Sequence, residues 1–212
     1  MITDSDHLLF ASVDLPILNK EWAVDDILSL PEEFSFWDDY RYTRMIPLMT
    51  KRGRRSMQGA SNYTTGDFTW LPYTPKEVAY WFEDHVFPWC GTRARVMALI
   101  TQPGVSNYEH IDCEKHELNT RQHKFRIVLQ GTTDTLYFTT KQGNVHVPNV
   151  DGAFIMDGGF PHGMTNTGKD VKVTLAMGAP WTGNDHYDNI NILMDRRQYM
   201  MPDDLTKYWK VG

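Results

Sequence analysis

The 212-residue sequence holds two cysteines, Cys90 and Cys113. That is too few for a disulfide framework, and both read as reduced thiols. No apolar run approaches eighteen residues, so the sequence offers no transmembrane helix. There is no excess of positive charge either. Twenty-one Lys and Arg stand against 27 Asp and Glu, a net charge of −6, which argues against nucleic acid or an anionic membrane as the main partner. The one basic run, Lys51-Arg52-Gly53-Arg54-Arg55, is local, and its reading stays open between a solvated loop and a lid that meets an anionic ligand. The start, MITDSDHLLF, carries acids where a signal peptide carries bases, so a soluble cytoplasmic protein is expected. Internal repeats and low-complexity linkers are absent, and a single domain over 1–212 is the economical reading.

Aromatics are plentiful: seven Trp, ten Tyr and ten Phe favour a thick aromatic core or an aromatic-lined pocket. Residues 1–93 mix short strands with helices. HLLFASVDLP reads as a strand ended by Pro16, NKEWAVDDILSL as a short amphipathic helix, and YRYTRMIPLM as a half-buried strand. In TPKEVAYWFEDHVFPWCG, Thr74 is expected to cap a helix, Pro75 to suit its first turn, and Pro88 to bar its continuation before Gly91. After Gly91 the texture changes to short strands separated by Gly, Pro, Asn or Asp: ARVMALI, FRIVLQG, TLYFTT, NVHVPN, AFIMDGG and VKVTLAM. This spacing, with no long helix between the strands, indicates a mainly β jelly roll over about 94–180, with the early helices packed outside it. The tail, 181–212, reads as a loop followed by a short helix, DDLTKYW.

Candidate chemistry begins in YEHIDCEKHELNTRQHKFRIVLQG. His110 and Asp112 are two apart, which in a strand directs both to one face. A chance His-x-Asp is common. It gains weight from His162, fifty-two residues on, which follows a strand and the Gly-rich turn in GAFIMDGGFPHGMTNTG. Ten residues later Lys172 and Thr174 share one face of a strand whose other face holds Val171, Val173 and Leu175. A lysine on an inward face is costly unless an anion meets it, so Lys172 reads as the counter-ion of a carboxylate. Two His and one carboxylate leave three positions of an octahedral ion open on one side, which suits non-haem Fe(II); tetrahedral zinc is the competitor.

The set His110-x-Asp112, His162 and Lys172-x-Thr174 resembles the Fe(II)/2-oxoglutarate-dependent dioxygenases, whose fold is a double-stranded β-helix, a cupin-like jelly roll. Arg126-Ile-Val-Leu, Phe154-Ile-Met-Asp157, His162 and Asn166 are most similar to the aspartyl/asparaginyl and proline hydroxylase branch. The resemblance covers about 94–180. It departs at Lys172, where that branch usually has Arg, and in the position of Arg-x-His, found here as Arg121-Gln-His123.

The resemblance implies Fe(II) on His110, Asp112 and His162, with 2-oxoglutarate as cosubstrate. Its far carboxylate would pair with Lys172 and Thr174, and Arg126, inside the alternation of FRIVL, would lie near its metal-bound end. It implies oxidative decarboxylation to succinate and carbon dioxide, coupled to hydroxylation of an aliphatic carbon in an amino acid or a peptidyl residue such as Pro, Asp or Asn. Asp157 and Asn166 are candidate acceptors for the outer nitrogens of the ligand histidines. Arg44 and Arg121 are candidates for binding a carboxylate on a small-molecule or peptide substrate; the plainer reading of YRYTR is a strand with solvated arginines. A cupin-type isomerase is the alternative, and it predicts a fourth ligand, His116 or Glu117. A metal-free jelly-roll binding module leaves Lys172-x-Thr174 unexplained.

Overall fold

Period-two alternation builds the central sheet. In VKVTLAMG, the residues Val173, Leu175 and Met177 pack into one apolar cluster, while Lys172, Thr174 and Ala176 turn to the opposite face. The computed structural model describes residues 7–38, 43–51, 67–113, 115–118, 123–178 and 187–209. In chain order these form β1 (Leu8–Val13), α1 (Lys20–Ser29), β2 (Phe36–Asp38), β3 (Thr43–Lys51), β4 (Phe68–Trp70), α2 (Lys76–Trp81), α3 (Phe87–Cys90), β5 (Val96–Thr101) and β6 (Ser106–His110). There follow β7 (His123–Gln130), β8 (Leu136–Thr140), β9 (Gly143–His146), β10 (Ala153–Asp157), β11 (His162–Thr165), β12 (Lys172–Gly178) and β13 (Ile190–Asp195).

Two antiparallel sheets result. The larger runs β13-β1-β10-β7-β12-β5-β3-β2, with β4 also on β3; the smaller runs β6-β11-β8-β9. The larger sheet has two buried faces. On one, α1 and the α2–α3 region cover a core that includes Phe82 and Phe125, each contributing about 1.5–3 kcal/mol by burial. On the other, Val128, Phe154 and Met156 meet Phe138 and Phe160 across the interior, next to a cavity lined from both sheets. This is the expected jelly roll. Strands from outside 94–180 complete it: β1 and β3 enter the larger sheet from the N-terminal region, and β13 from the tail.

Several local expectations change. YRYTRMIPLM forms a strand from Thr43 on, but it is buried on both faces: Ile46 and Leu48 pack into the large apolar cluster, and Met45 packs with Met97 and Ala176. Pro47 is tolerated there because it falls between the β2 and β4 pairings, at a register shift against β5. Thr74 does not cap α2. Its hydroxyl donates to Leu48 O at 2.7 Å, and Pro75 occupies the cap position. Pro88 does not end the helix: a π turn at Phe82–Val86 precedes it, so its missing N–H falls in the first turn of α3, where no intrahelical acceptor is needed. Gly91 then ends the helix at φ +69°. In the tail a strand, β13, follows the expected loop, most of which lies outside the described residues, and the expected helix is reduced to a 3-10 turn at Thr206–Tyr208, after another at Arg196–Gln198. Both cysteines are free, and no helix among the described residues is long and apolar enough to cross a membrane.

Candidate metal centre

Register brings the two histidines together. β11 pairs with β6 so that His162 lies opposite His110, and their ring centres are 4.4 Å apart. The next pair is Met164 with Asn107, three residues back on β6 against two on β11. This bulge gives β6 one extra residue, so Asn107 and His110 both line the cavity although three positions separate them. Asp112 reaches the site differently from the strand alternation expected. β6 ends at His110, and Asp112 lies in the bend beyond it, its N–H held by Gly158 O at 2.8 Å.

The three side chains converge. Asp112 Oδ1 is 3.5 Å from His110 Nε2, and Asp112 Oδ2 is 3.7 Å from His162 Nε2. One ligand atom from each lies within 4.8 Å of the others. Donors about 2.0–2.2 Å from a shared ion stand roughly 3–3.6 Å apart, so the set fits a metal with small adjustment. The histidine tautomers fit as well. His110 Nδ1 meets Tyr108 O at 2.7 Å and His162 Nδ1 meets Phe160 O at 2.8 Å. A carbonyl only accepts, so each Nδ1 carries the proton and each Nε2 turns a lone pair toward the centre. These backbone carbonyls correct the expectation for Asp157 and Asn166. Asp157 binds Gly159 N and Arg196, and Asn166 binds Thr101 O, Asp170 O and Gly168 N.

The triad opens into a cavity lined from both sheets. Leu99, Phe154 and Met156 are among its apolar walls, and Arg126, Lys172 and Thr174 also line it. Arg126 Nη2 lies 3.7 Å from Asp112 Oδ2, and its Nη1 donates to Phe125 O at 3.1 Å. Lys172 is 4% exposed and donates to Thr132 O and Thr135 Oγ1. Burial pulls its ammonium down to about 8, with Asp134 opposing.

The remaining candidates lie elsewhere. Arg44 does not line the cavity: its guanidinium donates to Ser35 Oγ, Leu30 O and Pro31 O, joining β3 to the segment after α1, so it is not a solvated arginine. Arg121 and the basic run at 52–55 fall outside the described residues. His116 and Glu117 sit in a 3-10 turn at Lys115–Glu117. The group among the described residues that could hold a metal ion is His110, Asp112 and His162, without a fourth member. Cys113 adjoins Asp112, but burial pushes its thiol up to about 12, so it stays protonated at neutral pH.

Sequence reasoning passed over Lys124. It is 3% exposed, and burial lowers its ammonium to about 8 while Asp112 opposes that shift. Its signal was available, since Lys124 and Arg126 alternate onto one face of β7.

No family model and no curated protein matches the sequence. Among solved structures the chain is similar to a prolyl hydroxylase from Trichoplax adhaerens, in complex with a hypoxia inducible factor oxygen degradation domain peptide fragment. The TM-score is 0.51 at 11% identity, covering 82% of this chain and 84% of that one. The chain has the prolyl hydroxylase fold. A Pseudomonas putida prolyl-4-hydroxylase matches at TM-score 0.48 and 12% identity, over 82% of this chain and 95% of that chain. An oxidoreductase of the 2OG-Fe(II) oxygenase family from Burkholderia pseudomallei matches at TM-score 0.43 and 14% identity, over 78% and 82%. Both sheets of this chain line the cavity onto which His110, Asp112 and His162, a group that could hold a metal ion, open.

Proposed function

We propose that this protein is an Fe(II)- and 2-oxoglutarate-dependent oxygenase that hydroxylates an aliphatic carbon of an amino acid or a peptidyl residue. One observation carries the reading: a His-Asp-His group with both Nε2 atoms directed inward shares a single cavity with a buried lysine. His110, Asp112 and His162 hold the metal. Lys172 receives the far carboxylate of 2-oxoglutarate, replacing part of its present bonding to Thr132 O and Thr135 Oγ1, and Thr174 assists. A lysine is a point charge, so Thr174 and the cavity walls must supply the orientation that an arginine fork would otherwise give.

Arg126 balances the charge of Asp112 and faces the metal-bound end of the cosubstrate. Leu99, Phe154 and Met156 exclude water, which strengthens each electrostatic contact inside. When bound, Fe(II), 2-oxoglutarate and oxygen together supply the oxidising power that breaks a C–H bond and leaves a hydroxyl group. The substrate class remains a small molecule or peptide bearing a carboxylate; Arg44 lies outside the cavity that would receive it. No observation favours the cupin-type isomerase, which calls for a fourth ligand.

The test is Fe(II)-dependent succinate formation from 2-oxoglutarate, without added substrate, in wild type, His110→Ala and Lys172→Ala. Slow turnover in wild type, abolished by the first change and demanding far more 2-oxoglutarate after the second, is the expected result. A wild type that binds metal yet neither binds nor turns over 2-oxoglutarate overturns the oxygenase reading.

A further inference from the structure

Asp112 is the ligand that no strand holds, and the loop bearing it is fixed by distant segments at three consecutive residues. Ile111 N donates to Tyr208 O at 3.0 Å, Asp112 N donates to Gly158 O at 2.8 Å, and Cys113 O accepts from Trp209 Nε1 at 3.1 Å. Two of these three bonds come from the end of the chain. An apolar cluster seals the contact: Ile111, Cys113 and Tyr208 are buried, and Leu118, Leu205 and Trp209 pack on them.

A second contact comes from the same end of the chain. Arg196 forms an ion pair with the 2%-exposed carboxylate of Asp157, and its guanidinium lies 5.9 Å from the ring centre of Phe160. Asp157 in turn accepts from Gly159 N at 2.8 Å through its side chain and from Phe160 N at 3.2 Å through its carbonyl. That turn supplies both Gly158 O, which holds Asp112, and Phe160 O, which holds His162.

We infer that the C-terminal segment is a positioning element of the metal centre: Arg196 sets the 157–161 turn, Tyr208 and Trp209 set the 111–113 loop, and metal affinity depends on both. The inference rests on the proposed ligand set. Its physical basis is that a ligand on a bend has no ladder to fix it, and a displacement well below 1 Å spoils a coordination bond. Groups that orient ligands from behind typically govern affinity by about 10–100-fold.

The experiment is a calorimetric Mn²⁺ titration of the full chain, performed well below its melting temperature, on wild type, Trp209→Phe, Arg196→Met and Lys141→Met. Trp209→Phe keeps the ring and removes the donor to Cys113 O. Lys141→Met releases a surface pair to Asp203 on the same stretch of chain and serves as the control. The expected result is a Kd for Mn²⁺ raised about tenfold in Trp209→Phe and Arg196→Met, with Lys141→Met unchanged. A merely structural role would lower the melting temperature and leave Kd alone. Should Arg196→Met fail to fold, the conservative Trp209→Phe decides. Wild-type Kd in a folded Trp209→Phe overturns the inference and leaves the ligand set standing. A wild type that binds no Mn²⁺ overturns the ligand set, and the inference falls with it.

Discussion

The two ends of the cavity are built by opposite means. At one end Lys172 and Thr174 stand on β12, in the interior of the larger sheet between β7 and β5; both pair with β5, and β7 meets Thr174 just past a register shift at Val173. At the other, His110 ends a strand, Asp112 lies in a bend, and His162 begins a strand after a turn. Pairing inside a sheet, with a neighbour on each side, thus holds the anion end. The metal end depends on a bulge, two backbone carbonyls and contacts from the chain terminus. Rigid pairing suits a single fixed charge, whereas coordination needs three side chains to approach one point from different directions.

The largest test of this contrast removes one ligand. His162→Ala should lower Mn²⁺ affinity by more than about 100-fold while the far-ultraviolet circular dichroism stays native, because the larger sheet does not depend on it. A collapse of the fold would mean that the two ends are not separable.

Next is Lys172→Met. Loss of the buried charge should weaken 2-oxoglutarate binding by about 2–5 kcal/mol. The same change should stabilise the ligand-free fold by about 1–4 kcal/mol in urea, since an apolar side chain replaces a buried cation. The pH dependence follows from the ammonium near 8. Lys172 must be protonated to pair with a carboxylate, so 2-oxoglutarate affinity should fall as pH rises through about 8. Ligand-free stability should move the other way. The unfolded lysine keeps its proton to its ordinary 10.5, so Lys172 adds a rise of stability with pH from about 8, which the raised thiols of Cys90 and Cys113 oppose above about 9. Lys124 titrates in the same window, so Lys172→Met should reduce this rise without abolishing it.

Two glycines sharpen the comparison at smaller scale. A Cβ on Gly163, next to His162, would lie 2.6 Å from Tyr137 Oη and 2.7 Å from its Cζ. Gly163→Ala should cost about 1–3 kcal/mol by overpacking, and Tyr137→Ala in the same chain should recover most of it. Gly131 has φ +99°, and its Cβ would sit 3.1 Å from Lys172 Cγ. Gly131→Ala should cost about 1–3 kcal/mol of strain and disturb the anion end, leaving Mn²⁺ affinity unchanged.

The same contrast explains what could be read from the sequence. Lys172 and Thr174 were legible because period-two alternation is local, and so were the strands of the larger sheet from β5 to β12. His110, Asp112 and His162 were legible as a set through spacing and resemblance. Their geometry was not, because the bulge at 107–110 and the bend at Asp112 arise from pairing with β11 and from Gly158, both far along the chain. The orienting carbonyls of Tyr108 and Phe160 belong to the backbone and leave no mark in residue types. The surroundings of Arg44 were not legible, because the sequence does not reveal that Leu30, Pro31 and Ser35 fold back onto it. β13 was missed because its alternation, in INILMD, is half-exposed at the edge of the sheet, beside β1 alone.

The central claim is that both ends grip one molecule. Calorimetric titration of 2-oxoglutarate into Mn²⁺-loaded wild type, metal-free wild type, Lys172→Met, and the His162→Ala/Lys172→Met double variant tests it most directly. The account predicts binding to the loaded wild type, strong loss when either the metal or Lys172 is removed, and little further loss in the double variant. Binding that is equally tight with and without metal, or that ignores Lys172, would contradict it.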